Sequence, residues 1–230
     1  LANLLRGGYL KPVFHDASAR EKLRMLVSSY QDNLQEVVRI KNRLKTIKRR
    51  VRLYLKKDAP AHASFIQEQL TEHLDQLLIS HKEYQQQITR CVQRFKETNI
   101  LMSIPGIGYI HSAKIIAQVI DPERFKNKYK FFAYCGLVKH PRISANRNYG
   151  STRIWGNRTL KCVFKMAAHS AIGGHNSLNV LYGHLRDKGV SERNARNAIA
   201  RKIATLALSL WKNNQRFSNE IVLEGLPVKV

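Results

Sequence analysis

An all-α fold is predicted: a long antiparallel coiled-coil hairpin, then a compact helical domain containing a helix-hairpin-helix motif. Three observations predict it. Two consecutive stretches between about Ala19 and Glu97 place apolar residues at steps of three and four, the spacing of one helix face. Five further helical patterns follow before Phe217. The hydrophobic content of 43% is enough to bury their inner faces, so the chain is more than a basic disordered tail.

The segment 1–18 reads as the end of a helix, a Gly7-Gly8 turn and an extended connector through Pro12-Val13-Phe14. A helix that starts without a cap at the first residue suggests a piece of a longer protein. The segment 19–97 reads as the helical hairpin. Tyr30, Leu34, Val37, Ile40, Leu44, Ile47, Val51 and Tyr54 form the stripe of its first arm, with a stammer at Ile40. Asp58-Ala59-Pro60 stops that arm. Leu70, Leu74, Leu77, His81, Tyr84, Ile88, Cys91 and Phe95 keep a regular heptad in the second. His81 and Cys91 are read as seam residues. Such a seam closes either within the hairpin or between subunits, so a homodimer or tetramer through the coiled coil is expected. The segment 98–217 is read as the compact domain, with helices over His111–Ile120, Lys128–Cys135, Asn157–Ile172, Ser177–Lys188 and Glu192–Lys212 and an irregular stretch from Val138 to Trp155. The segment 218–230 is read as a disordered tail.

The 230 residues hold 40 Lys and Arg against 16 Asp and Glu, a formal net charge of +24. A surplus of that size points to a polyanion, because lysine and arginine contacts to phosphate release condensed counterions. An anionic membrane surface would also attract it, but the basic residues accompany a folded core and not one amphipathic helix. No apolar run approaches 18 residues, and the first residues lack the order of a secretory signal. No membrane partner is expected. The three cysteines, Cys91, Cys135 and Cys162, are far apart and never in CxxC spacing, which suits reduced core residues of a cytoplasmic protein better than zinc ligands.

Two local signals carry chemistry. The first is Leu101-Met102-Ser103-Ile104-Pro105-Gly106-Ile107-Gly108-Tyr109-Ile110-His111-Ser112-Ala113-Lys114, which resembles a helix-hairpin-helix. Gly106 and Gly108 would allow a tight turn whose N–H groups face a phosphate, with Lys114 adding charge. The bland alternative is a plain glycine-containing helix turn. The second signal is an absence: no Asp or Glu lies between Glu123 and Asp187, whereas Arg124, Lys126, Lys128, Lys130, Lys139, Arg142, Arg147, Arg153, Arg158, Lys161, Lys165 and Arg186 do. Surfaces normally mix both signs, and a one-sign stretch repels itself unless a polyanion neutralises it. The stretch therefore predicts the nucleic-acid contact surface, with Arg142, Arg147, Arg153, Asn157, Arg158, Lys161 and Lys165 as contacts. It cannot by itself supply carboxylates for magnesium.

The order Ser103-Ile104-Pro105-Gly106-Ile107-Gly108, then Asp121-Pro122-Glu123-Arg124-Phe125, then Ala133-Tyr134-Cys135-Gly136-Leu137, then a serine, then Gly156-Asn157-Arg158 with Leu160-Lys161, resembles the C-terminal transposase domain of the insertion sequence 110 family, to which the Piv-type DNA invertases are related. The resemblance covers roughly Ile100 to Leu210, and the segment before it suits the coiled coil of that family. It implies that residues 1 to about 14 end an N-terminal RuvC-like domain whose Asp-Glu-Asp-Asp set holds Mg2+. It also implies a serine that attacks the DNA phosphate, and DNA and a structured guide (bridge) RNA as partners. Carried over by position, that serine is Ser144, eight residues after Gly136, with Ala145 where the family usually has glycine. Ser151 and, more weakly, Tyr149 are the alternatives. The function implied is DNA transposition or recombination in a prokaryotic, nucleoid-associated setting. Magnesium would be held outside this chain, which alone would bind nucleic acid without cutting. The rival readings are a Piv-type invertase and a non-catalytic nucleic-acid-binding fragment. His111 and His140 could move protons, but are read first as structural or phosphate contacts.

Overall fold

The computed structural model describes residues 6–7, 19–54, 61–153 and 156–223. The fold is all-α, with one two-stranded ribbon set into it. Helices α1 (Ala19–Tyr54) and α2 (Ala61–Val92) run antiparallel: Tyr30 stacks on His81 (4.7 Å between ring centroids), and Asn33 Nδ2 donates to the Leu77 carbonyl (3.2 Å). Then follow α3 (Lys96–Met102), α4 (Tyr109–Val119), a 3-10 turn (Pro122–Arg124), α5 (Lys128–Tyr134), strands β1 (Lys139–Ser144) and β2 (Arg147–Arg153), α6 (Arg158–Ile172), α7 (Ser177–Asp187), α8 (Glu192–Lys212) and the short α9 (Glu220–Leu223).

The five helices expected after Thr98 fall within two residues of their expected ends. Their N-termini explain why. Asn127, Asn157 and Asn176 each accept main-chain N–H bonds from the first turn of α5, α6 and α7 (3.0–3.2 Å), so local sequence sets those starts. Helix α4 is apolar nearly all round, with Ala113, Ile115, Ile116, Ala117 and Val119 buried. A helix of that kind must be enclosed, and α4 is packed between α1, α2, α3 and α6. Helix α8 lays Ile199, Ile203, Leu206 and Leu210 against α6 and α3.

The hairpin docks through its lobe-proximal end. Leu23, Val27 and Tyr30 of α1 and Ile88 and Val92 of α2 are buried in the common core. Arg20 Nη2 donates to Glu97 Oε1 (2.9 Å) and its other terminal nitrogen to the Ile120 carbonyl, tying the start of α1 to both ends of the α3–α4 unit. Farther out the seam is uneven: Val37, Ile40 and Leu44 of α1 are buried. Leu34 is exposed, and Leu70, Leu74 and Leu77 are only half-buried. The stripe thus begins earlier than expected, at Leu23 and Val27, and skips Leu34. The reason is tertiary: α4 covers the near end of the hairpin from outside the pair, so burial there follows the docked lobe and not the heptad alone.

Two expectations are corrected. The stretch from Val138 to Trp155, read as irregular, is an antiparallel ribbon over residues 139–153. The tail read as disordered from Ser218 is ordered at its start: Asn219 Oδ1 accepts from Ser177 N (3.0 Å), and Val222 of α9 is buried against α7. The segment 1–18, apart from Arg6 and Gly7, the stop at Asp58-Ala59-Pro60, and residues 224–230 lie outside the described residues.

Candidate nucleic-acid interface

The ribbon turns through Ala145 and Asn146, both with positive φ (47° and 58°). Two consecutive left-handed residues make the tight turn whose twist matches paired antiparallel strands. Its register is Lys139 opposite Arg153, Pro141 opposite Ser151, Ile143 opposite Asn148 and Ser144 opposite Arg147. Between Pro141 and Ile143 the register slips, so Tyr149 and Gly150 together face Arg142. Side chains on one strand alternate faces, and directly paired residues share a face. Arg142 and Arg147 therefore lie on the face that carries Ser144, while Ser151 lies on the other. Ser144, Arg142 and Arg147 are exposed, as are Ser151 and Tyr149.

The base of the ribbon is clamped where the chain leaves it. A Cβ on Gly156 would stand 2.4 Å from Gly136 N and 2.8 Å from the Ala133 carbonyl oxygen, so the backbones before β1 and after β2 touch in a way only glycine permits. Asn157 N donates to the Tyr134 carbonyl (2.7 Å), Asn157 Nδ2 to Gln118 Oε1 (2.6 Å), and Tyr134 Oη to the Gln118 carbonyl (2.8 Å). Asn157, a sequence-predicted phosphate contact, thus caps α6 and binds α4 through Gln118. Gln118 and Tyr134 are positioning residues that the sequence reading missed. An amide and a phenol on separate helices carry no local pattern that announces their pairing.

Arg158 and Lys165 are exposed on α6; Lys161, half-buried, runs its stem past Gly136. Arg153 ends β2 opposite Lys139. Arg142 and Arg147 thus share the ribbon face of Ser144, while Arg158, Lys161 and Lys165 lie along α6, which begins at the ribbon base. The glycine turn before α4 forms a separate place. Gly106 has φ +87°, and a Cβ there would stand 2.1 Å from the Ala167 carbonyl oxygen, so this glycine lets the turn lie against the α6 backbone. Gly108, the N-cap of α4, has open space around it and borders a cleft of about 430 Å³ with Gln85, Thr89, Tyr109 and His111. His111 Nδ1 donates to the Gly106 carbonyl (3.1 Å), and burial holds the His111 pKa below its ordinary value. Lys114 stands away from this cleft. Its ammonium sits 5.0 Å from the Tyr30 ring centroid, and burial lowers its pKa.

Residues 98–182 match the family model described as transposase IS116/IS110/IS902. That segment takes in the glycine turn, the ribbon with Ser144 and the whole of α6. Over 139 residues the chain is 24% identical to the "Insertion element IS116 uncharacterized 44.8 kDa protein" of Streptomyces clavuligerus, which covers 60% of this chain and 35% of that protein. The chain thus spans about a third of the length of that relative. No group of three or more His, Cys, Asp or Glu among the described residues could hold a metal ion, so the Mg2+ that the resemblance implies finds no fitting donor set there. No helix among them is long and apolar enough to cross a membrane.

Proposed function

We propose that this chain is the DNA-holding and serine-bearing part of a transposase, acting on the phosphodiester backbone by strand cleavage and exchange. One observation carries the reading: the exposed Ser144 at the tip of a ribbon, with Arg142 and Arg147 on its own face, within a stretch of sequence free of acids. Likeness to the transposase family supports the reaction class. In the proposed step, Ser144 Oγ attacks the phosphorus, a serine–phosphate ester forms, and the bond from phosphorus to the leaving sugar oxygen breaks. The hydroxyl proton ends on that oxygen, directly or through water. A second strand's hydroxyl reverses the step and restores the serine. The two guanidiniums suit the non-bridging oxygens, where forked N–H donors match a phosphate and stabilise charge that grows in the transition state.

A serine hydroxyl is a weak nucleophile near neutral pH and needs activation. Among the described residues no group of three or more His, Cys, Asp or Glu could hold an activating metal ion. Magnesium on carboxylates outside these residues is therefore part of the proposal, as are a guide RNA, assembly through the helical hairpin and a nucleoid-associated, cytoplasmic setting. The test is to incubate this chain, joined to the carboxylate-bearing part that the proposal requires, with its DNA ends in magnesium and trap covalent adducts. The expected adduct maps to Ser144 and vanishes in Ser144→Ala, which still binds DNA. The 230-residue chain alone is expected to bind without cutting. An adduct on Ser151 or Tyr149, or cleavage surviving Ser144→Ala, overturns the assignment.

A further inference from the structure

A second basic surface lies farther along α6 from the ribbon base. A cleft of about 290 Å³ opens between α6 and the first turns of α8, lined by Lys165, His169, Glu192, Arg193, Arg196 and Asn197. Its lining carries three permanent cations and one carboxylate, and that carboxylate is taken up within α8, where Glu192 Oε1 pairs with Arg196 Nη2 one turn on. Lys165, His169, Arg193 and Arg196 are exposed, so their heads are open to a ligand. Beneath them Ala167, Ala168, Ala195 and Ile199 are fully buried, which fixes the two walls against each other.

The cleft is joined to the ribbon by a track. Arg158, Cys162, Lys165 and His169 follow at steps of four, three and four along α6 and are all exposed, and α6 carries no acid. From Arg158 to His169 a helix rises about 16 Å, which corresponds to roughly five phosphates of one strand in a duplex. Exposed Arg158, two turns before Lys165 on an acid-free helix, leads into a cleft that adds Arg193 and Arg196, an extended arrangement that suits a linear polyanion better than a single phosphate or a compact acidic group.

We infer that the α6–α8 cleft is a second phosphodiester-binding site, which takes up nucleic-acid backbone several nucleotides beyond the phosphate held at the ribbon. The inference rests on the reading of the chain as a phosphodiester binder and adds where the strand runs. DNA and RNA share the chemistry that the site recognises.

The test uses the 230-residue chain, labelled duplex DNA and duplex RNA of one sequence, and affinities measured across a salt series. Lys165→Gln/Arg193→Gln is expected to lower the slope of log affinity against log salt by about 2 on DNA, near 0.9 per lost contact, and to weaken binding about tenfold or more at 0.1 M salt. Both side chains are exposed, so the melting temperature stays put. Lys45→Gln/Arg49→Gln, exposed on the distal part of α1, removes the same charge and is expected to leave the slope unchanged. An equal drop in both variants would mean a general charge effect and overturn the cleft. A chain that binds neither DNA nor RNA sinks the reading of the function itself. If Arg142→Gln/Arg147→Gln lowers the slope and Lys165→Gln/Arg193→Gln does not, the reading stands and the cleft site falls. A loss confined to DNA or to RNA supports the site and names its occupant.

Discussion

Gly106 and Gly108 lie two residues apart in one turn, and the structure gives them different duties that alanine substitution can separate. At Gly106 an alanine must adopt φ +87°, a left-handed conformation that costs roughly 1–2 kcal/mol for a residue with a side chain. Its methyl would also stand 2.1 Å from the Ala167 carbonyl oxygen, less than any tolerated carbon–oxygen contact, and the obstacle is main chain that cannot rotate aside. The turn must then lift away from α6, where Leu160, Phe164 and Ala167 are fully buried, and overpacking of such a core costs a further ~1–3 kcal/mol. Together Gly106→Ala should destabilise the chain by about 3–4 kcal/mol, or roughly 10 °C in melting temperature for a chain of this size. At Gly108 the backbone is ordinary (φ −106°) and nothing lies near the added carbon. The weaker N-cap of alanine and the lower entropy of its unfolded chain nearly cancel, so Gly108→Ala should change stability by less than ~1 kcal/mol. Urea unfolding followed by circular dichroism, with equal slopes for both variants, measures the difference. Similar midpoints for the two would refute the claim that Gly106 is required by contact with α6. Nucleic-acid affinity, measured in parallel, reports whether the open Gly108 side touches backbone.

Three further outcomes follow from the same geometry. Ala145→Gly removes a side chain from φ +47° and should stabilise the ribbon by about 1 kcal/mol, read as slower amide exchange across β1 and β2; faster exchange would contradict the turn geometry. Burial first, then Lys114 and Lys41, hold the pKa of His81 below the ordinary 6.5, and its Nε2 faces the Gln85 amide as an acceptor. The unfolded chain therefore takes up the proton first: the stability contributed by neutral His81 is complete above pH 6.5 and falls as the pH drops below it. His81→Gln should flatten the decline in melting temperature between pH 7.5 and 5, and an unchanged decline would remove His81 as its source. Arg20→Ala leaves the buried Glu97 carboxylate without its partner and should cost about 2–3 kcal/mol, whereas the double change with Glu97→Gln should recover part of that loss; no recovery in urea midpoints would show that the pair is not coupled.

The helices of the lobe were legible because their signals are local. Asn127, Asn157 and Asn176 announce helix starts, and the apolar steps of α8 repeat over five turns. The ribbon was not legible for equally local reasons. Lys139-His140-Pro141-Arg142-Ile143-Ser144 has a single β-branched apolar residue and a proline inside the strand, and its turn is Ala145-Asn146 where a glycine would have announced it. Pairing also needs the slip at Arg142, which no alternation pattern reveals. At the site, the exposure of Arg142, Arg147, Arg158 and Lys165 follows from their place in an acid-free run. The tasks of Asn157 and Lys114 do not, because Gln118 and Tyr30 come from other helices and meet them only in the folded chain.

These placements sort the cations of the lobe by what they face, which their sequence alone does not do. Arg124 packs on the Phe125 and Tyr134 rings, and Lys212 bonds the Phe125 carbonyl, so part of the positive charge braces the lobe. Arg142, Arg147, Arg158 and Lys165 instead stand exposed along the ribbon and α6. The α6 backbone is the reference for the second group. Gly106 lies against it at Ala167, and Asn157 ties its first turn to α4 and to the Tyr134 carbonyl, so the anchor of the ribbon and the row of α6 cations are held in one frame. A polyanion gripped by that row would therefore be presented to the ribbon at a fixed offset. A substitution that loosens the Gly136–Gly156 contact, such as Gly156→Ala, should then disturb the alignment of Ser144 with a bound strand while leaving the charge that attracts it intact.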